Sequence, residues 1–393
     1  MSLLPVEEAL TRILALGTPL PVEPAPLAAC LGRTLAADVA AARVQPAADL
    51  SAMDGYAIRF AELPGPWTLA GESTPGRLPD RALAPGEAMR IFTGAPLPAG
   101  ADTVVVQEEI EAEGTAVRLT GEGPPRPGAH VRPAGSDFAA AAPLLTAGTR
   151  LGPAHLALAA MGGHGTLPVR RRARVALLST GNELVPVGAP THGLDLPASN
   201  APMLAALLAP HAADAEDRGI VPDRLAPLAR AFEEAAGADV LVTTGGASVG
   251  DHDLVRPALV QAGAAIDFWR IAMKPGKPLM AGMLDGAIVL GLPGNPVSAF
   301  VTARLFLLPL VARMTGEPAP ASTRPMTLAA PLPATGIRAE YLRGRTEGDR
   351  VAPLSGQDSA GLATLAQADV LIVRPRHAPA ARPGDVVDVL PIA

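Results

Sequence analysis

Between residues 174 and 316, short apolar runs alternate with amphipathic helical stretches, and the runs end in polar, glycine-containing loops. Val175–Leu178, Val240–Thr243 and Ile288–Leu290 are near-continuous apolar runs, as expected of strands buried on both faces of a parallel sheet. Helical patterns follow at Pro202–Leu208, Asp223–Ala236, Leu254–Gln261 and Pro296–Met314. Ser199 or Asn200 is placed to cap the first of these, with Pro202 in its first turn. Few architectures satisfy that alternation, and the expected one is a doubly wound α/β domain with helices on both faces of its sheet.

The flanking chain has a different texture. Val6, Leu10, Ile13 and Leu14 share one face of a helix expected over Pro5–Leu16, and a second short helix is expected over Leu27–Ala36. From about residue 46 to 139, short β-like runs (Trp67–Ala70, Ala88–Phe92, Thr103–Gln107, Ala116–Leu119) are punctuated by Gly and Pro. Leu151–Met161 returns to a helical period. The last segment, with Val370–Val373 and Val386–Leu390, reads as a small β-domain. The fold class is therefore α/β plus β, in several domains. The expected boundaries are 1–45 with 140–173, then 46–139, 174–316 and 317–393.

Composition removes several functions. Cys30 is the only cysteine, which excludes an intramolecular disulfide, a thiolate zinc cluster or an iron–sulfur centre. A net charge of −6 argues against a nucleic-acid binder with a basic surface. Glu7 and Glu8 stand where a signal peptide would be basic. The most apolar stretch, Ala299–Ala312, is interrupted by Arg304 and Pro309 and is shorter than a bilayer span requires. A cytoplasmic protein without a membrane partner is expected. No P-loop or H-E-x-x-H motif occurs.

Rare residues point to one edge of the α/β domain. Among 32 cationic residues only Lys274 and Lys277 are lysines, and Asn182, Asn200 and Asn295 are the only asparagines. Four of these five lie in loops that follow the apolar runs or, for the two lysines, the segment Phe268–Met273. The loops are Ser179–Glu183, Thr244–Asp253, Lys274–Pro278 and Gly291–Pro296. Ligands of open parallel sheets bind beyond the carboxyl ends of the strands. Glycines there let backbone N–H groups approach an oxyanion, and the two ammonium groups add point charges. Glu183, Asp251 and Asp253 suit Mg²⁺, which takes a few carboxylates together with phosphate and water. Such loops also make ordinary tight turns, and such carboxylates also cap helices. A rival motif is Gly246-Ala247-Ser248-Val249-Gly250, which fits the G-x-S-x-G of serine hydrolases with His377 downstream. It lacks an HGGG-like oxyanion segment, and His377 falls outside the α/β domain.

Six segments stand in order along the chain: Ser51-Ala-Met-Asp54-Gly-Tyr56-Ala, Thr93-Gly-Ala-Pro, Thr180-Gly-Asn-Glu183-Leu, Gly245-Gly-Ala-Ser-Val-Gly250-Asp-His-Asp253, Lys274-Pro-Gly-Lys277-Pro and Leu292-Pro-Gly-Asn295-Pro296. Together they resemble the molybdopterin molybdenumtransferases, the family of MoeA proteins and the gephyrin E domain, over nearly the whole length. The resemblance implies a Mg²⁺-dependent enzyme of molybdenum cofactor biosynthesis. It takes adenylylated molybdopterin and molybdate as substrates, inserts the metal and releases AMP. It also implies a homodimer. The helical N-terminal region would be elongated and dimerising, residues 46–139 a lid, and residues 174–316 the molybdopterin-binding domain. The cleft would lie between the α/β domain of one subunit and the lid of the other.

By the same resemblance, Glu183, Asp223 and Asp253 line the cofactor side, and Lys274 and Lys277 hold anionic groups. Asp54, Thr93, Arg132 and Asp137 face them from the lid. Thr180, Gly181, Asn182, Gly245, Gly246, Ser248, Gly250, Pro293, Gly294 and Asn295 form the loops that receive the substrate. Arg343 and Ser359 contribute from the C-terminal domain, and Glu183, Asp251 and Asp253 are the implied metal ligands. Arg270 stands where the family often has lysine, which keeps the charge but changes its geometry. Transient contact with other proteins of molybdenum cofactor biosynthesis is a further expectation; alternatives in view are a molybdopterin adenylyltransferase, a non-catalytic molybdopterin-binding scaffold, and a hydrolase using Ser248.

Overall fold

The computed structural model describes residues 3–246, 254–320 and 322–392, with the backbone alone at 268 and 269. The N-terminal helix α1 runs Val6–Leu16, as its apolar period requires, and buries Val6, Ala9 and Ile13. The helix expected over Leu27–Ala36 does not form. One 3-10 turn, Leu27–Ala29, follows a strand, Val22–Pro26, paired antiparallel with Thr166–Arg170. Pro24 and Pro26 favour extended backbone here. Helix α2, Pro153–Met161, starts two residues later than its pattern because Pro153 occupies the first helical turn.

The β-rich module is a six-stranded sheet. Its strands are β1 (Gly55–Ile58), β2 (Trp67–Ser73), β3 (Glu87–Ile91), β4 (Thr103–Val106), β5 (Ile110–Glu113) and β6 (Ala116–Leu119), in the order β4-β1-β3-β2-β6-β5. Ile58, Trp67, Ala88, Val105 and Val117 fill one side of it.

The central domain is doubly wound. Its strands are β7 (Ala173–Thr180), β8 (Ala213–Val221), β9 (Val240–Thr244), β10 (Ala265–Arg270), β11 (Pro278–Leu284) and β12 (Ala287–Leu292). They lie in the order β8-β7-β9-β12-β11-β10. The four from β8 to β12 are parallel. Strand β11 runs against β12, and β10 against β11. The two reversals bring the carboxyl end of β10 back to the edge where β7, β9 and β12 end, so the Lys274–Pro278 loop joins the other three.

Helices α3 (Asn200–Leu208), α4 (Leu225–Glu234), α5 (Val255–Gln261) and α6 (Pro296–Thr315, with a π-helical turn over Ala303–Leu307) cover the sheet. Leu204, Leu208, Val297 and Phe306 pack on one face together with Val6 and Ile13 of α1. Leu228, Phe232, Val255 and Leu259 pack on the other. At 20 residues, α6 is longer than the interrupted apolar stretch implied and long enough for a bilayer, so length does not exclude a span. Its surroundings do the discriminating: 83% of its most apolar window is buried inside the protein, which is how a core helix behaves.

Five C-terminal strands close into a small barrel: β13 (Arg324–Leu328), β14 (Ala339–Glu347), β15 (Arg350–Pro353), β16 (Val370–Arg374) and β17 (Val386–Pro391). They follow the order β14-β15-β13-β17-β16, and β14 pairs with β16 to close the ring. The segment Met273–Lys274 adds to the outside of β14 in parallel register.

Candidate active site

A cleft of about 990 Å³ lies beyond the carboxyl ends of β7, β9, β10 and β12 and under the C-terminal barrel. Its wall includes Thr180, Gly181, Glu183, Asp223, Gly245 and Gly246. Lys274, Lys277, Pro293, Gly294, Asn295 and Ser359 complete the set of expected residues that line it. The edge singled out by the rare lysines and asparagines is thus the edge that opens.

Local geometry explains the glycines. Gly245 has φ +94°, and a Cβ there would stand 2.4 Å from the Thr180 carbonyl oxygen. The first two strand-end loops can therefore touch only through glycine. Gly276 has φ +99° and lies against α6, where a Cβ would meet Thr302 Cγ2 at 2.7 Å. That contact seats the Lys274–Lys277 loop on a buried helix.

Several expected residues brace the cleft. Asn182 Oδ1 accepts a hydrogen bond from the Asp223 amide at 3.1 Å, fixing the loop that carries Asp223. Asn295 Nδ2 donates to Ser359 Oγ at 3.0 Å, and the Val297 amide donates to the Ser359 carbonyl at 3.0 Å. Those bonds pin the barrel to the start of α6. Arg343 is fully buried and absent from the cleft wall. Its guanidinium donates to the Gly356 and Asp358 carbonyls at 2.9 and 2.8 Å, so it shapes the loop carrying Ser359 from behind.

The expected residues of the β-rich module do not reach this cleft within one chain. Asp54 and Thr93 lie at the same end of the antiparallel pair β1–β3, because Gly55 is in register with Ile91. Asp54 Oδ1 accepts hydrogen bonds from the Thr93 amide at 2.7 Å and hydroxyl at 2.8 Å. Those bonds, helped by nearby Arg90, hold the Asp54 carboxyl below its ordinary pKa. Arg90 itself sits 5.1 and 5.0 Å from the ring centres of Tyr56 and Phe92. Arg132, paired with Leu50, and Asp137 are exposed on the same module. None of the four lines the cleft.

Beside its lysines, the cleft sets two carboxylates near each other. Burial and then the charge of Glu183 push the Asp223 carboxyl above its ordinary pKa. Two like charges that strain each other fit Mg²⁺, which one or two carboxylates hold beside phosphate and water. No cluster of three metal-ligating side chains occurs among the described residues. Ser248, Gly250, Asp251 and Asp253 lie outside the described residues.

Sequence reasoning missed Arg338, Gln357 and Asp358, which also line the cleft. Arg338 stands five residues before Arg343, and its signal was proximity alone. Asn200, noted for opening a helix beside the loops, lines the cleft and donates from Nδ2 to the Gly294 carbonyl at 2.7 Å.

Comparison with known proteins agrees along the whole chain. Residues 4–163 match the MoeA N-terminal region (domain I and II), 176–313 a probable molybdopterin binding domain, and 325–392 the MoeA C-terminal region (domain IV). A molybdopterin molybdenumtransferase of Nostoc sp. is 39% identical over 296 residues, covering 72% of this chain and 67% of that protein. One from Bacillus subtilis is 31% identical across 98% of this chain and 94% of its own length. The crystal structure of a molybdopterin biosynthesis MoeA protein from Pyrococcus horikosii superposes with a TM-score of 0.85 at 28% identity, covering all of both chains.

Proposed function

The chain belongs to the molybdopterin molybdenumtransferase family, and from that premise we propose that its cleft inserts molybdenum from molybdate into adenylylated molybdopterin and releases AMP. The observation that carries this is the convergence of Lys274, Lys277, Glu183 and Asp223 on one cleft at the carboxyl edge of the sheet. The N- and C-terminal family matches, which surround the central domain, favour insertion over adenylylation by a single α/β domain. They also favour it over the scaffold and hydrolase readings.

The chemistry asks mainly for charge control. Molybdate and the phosphates of the substrate are oxyanions, which ammonium groups and backbone amides bind as charge-assisted hydrogen-bond donors. Lys274 and Lys277 hold these anions, and the Gly245–Gly294 contact provides floor that a ligand can approach closely. Glu183 and Asp223 would hold Mg²⁺, which when bound supplies positive charge for the separating phosphoanhydride oxygens. Bond breakage there needs stabilised negative charge more than a protein nucleophile.

Asp54 and Thr93, with Arg132 and Asp137, are supplied to the cleft by the lid of a second subunit, making a cytoplasmic homodimer the working enzyme. The support is that a single chain presents these residues away from its own cleft. The test is AMP release by the purified protein from adenylylated molybdopterin, with and without molybdate. Release that requires molybdate and falls at least tenfold in Lys277→Ala is expected. Molybdate-independent release, or none from folded protein, would refute the reading.

A further inference from the structure

Arg90 of the β-rich module stands opposite Tyr56 in the β1–β3 ladder and two residues before Phe92. Its guanidinium carbon lies 5.1 Å from the centre of the Tyr56 ring and 5.0 Å from that of Phe92, within cation–π range of both. Held there, its terminal nitrogens reach two oxygens. Nη1 donates to the Gly55 carbonyl at 3.1 Å and Nη2 to Gln107 Oε1 at 2.6 Å. The Gln107 amide in turn donates to the Asp54 carbonyl at 3.1 Å. Two successive carbonyls, those of Asp54 and Gly55, are thus fixed, one through Gln107 and one directly. Gly55 is clamped from the other side as well, because a Cβ on it would stand 1.9 Å from the Val105 carbonyl oxygen. Neither of these Arg90 bonds goes to a carboxylate. The Thr93 bonds first, and this uncommitted charge after them, keep the Asp54 carboxyl ionised.

We propose that Arg90 is a positioning residue for Asp54: gripped between Tyr56 and Phe92, it locks the Asp54–Gly55 backbone and so aims the carboxylate that Thr93 holds. This rests on the reading of Asp54 as a residue that the β-rich module supplies to a cleft. Asp54 is exposed at the start of β1, where an unbraced carboxylate would keep its rotamer and backbone freedom. Thr93 ties that carboxylate only to the turn after β3. Arg90 ties β3 to the start of β1 and to the turn after β4, so three strand ends are fixed against one another. The task needs a planar fork. A guanidinium stacks on two rings while donating in two directions, and an ammonium does not. Rate is sensitive to such aim, since a misplacement of about 1 Å costs on the order of 100-fold. Arg90 acts through Asp54 and is assigned no contact with substrate.

The experiment measures AMP release from adenylylated molybdopterin by the full chain and its variants, with thermal unfolding as a control for folding. Arg90→Met keeps an apolar stem between the rings. It should lower kcat about 10- to 100-fold and leave KM for adenylylated molybdopterin within about twofold of wild type. Arg90→Lys restores the charge without the fork and should recover less than about half of the wild-type kcat. Gln107→Leu cuts the same tie from its other end and should lower kcat with the same signature, which serves where Arg90→Met does not fold. The Asp54→Ala/Arg90→Met double variant should be no slower than Asp54→Ala alone, because one residue acts through the other. Wild-type kinetics in folded Arg90→Met, a loss confined to KM, full rescue by lysine, or additive losses in the double variant would overturn the inference. Wild-type activity in Asp54→Ala would instead count against the reading of Asp54. The crystal structure of Arg90→Met then decides the inference alone: a displaced Asp54 carboxylate supports it, and one still bonded to Thr93 in place overturns it.

Discussion

Asp223 carries its cost visibly. Burial and the Glu183 charge raise its folded pKa, so the native state binds the proton more readily than the unfolded chain does. Stability therefore declines as pH rises from the ordinary carboxylate range through that raised value, and at neutral pH the full penalty stands. Asp223→Asn should melt higher than wild type at pH 7, lose that advantage in acid, and lose most of its activity. Calorimetry across pH beside AMP assays checks both halves, and a lower melting temperature at pH 7 would deny the strain. At this scale the sequence was most informative where a residue type was rare. Lys274, Lys277, Asn200 and Asn295 were conspicuous in an arginine-rich chain, and each lines the cleft. Arg338 was one arginine among many, and nothing local distinguished it.

At the scale of elements, close contacts decide where the charged loops sit. Thr302 is fully buried and its hydroxyl donates to the Ser298 carbonyl at 2.7 Å, so it has no room to retreat from a new methyl group on Gly276. Gly276→Ala should displace the Lys274–Lys277 loop and lower kcat/KM between about 10- and 100-fold while the fold persists. Steady-state kinetics with circular dichroism reads this out; unchanged kinetics would mean that the loop position is not critical. A second joint lies at the end of α6. Buried Glu317 accepts from the Ala212 amide and pairs with His211 Nδ1 at 2.7 Å. Burial pushes its carboxyl up, but the bonds from His211 and Ala212 outweigh this and hold its pKa below the ordinary value. Its stabilisation is complete above the unfolded pKa and is lost as pH falls through the lower folded one. Glu317→Ala should cost about 3 kcal/mol at neutral pH and flatten the acid limb of the stability curve. In the α/β domain, period and run length marked β7, β9, β12 and the helices, whereas β8, an edge strand with Asp214, Glu216 and Asp217 exposed, and β11 carried no such signal. The missing helix near Leu27 shows the limit, because apolar spacing there competed with prolines that held the chain extended.

The whole molecule distributes its candidate machinery between two places, the cleft at the sheet edge and the loops of the β-rich module. That separation was not legible in the residues alone, since spacing along a chain says nothing about which copy of a residue completes a site. It came from the family resemblance. If the lid of one subunit serves the cleft of another, inactive Asp54→Ala and inactive Lys277→Ala chains mixed after unfolding and refolding should regain about a quarter of wild-type activity. One intact site would form in each mixed dimer, half of the dimers would be mixed, and each wild-type dimer holds two sites. No recovery beyond the separate variants would place the whole site within one chain. The central claim, that this cleft couples metal insertion to AMP release, is tested most directly by counting both products of one reaction. Molybdenum bound to the pterin product and free AMP should appear in equal amounts across a molybdate titration. AMP accumulating without matching molybdenum would contradict the account.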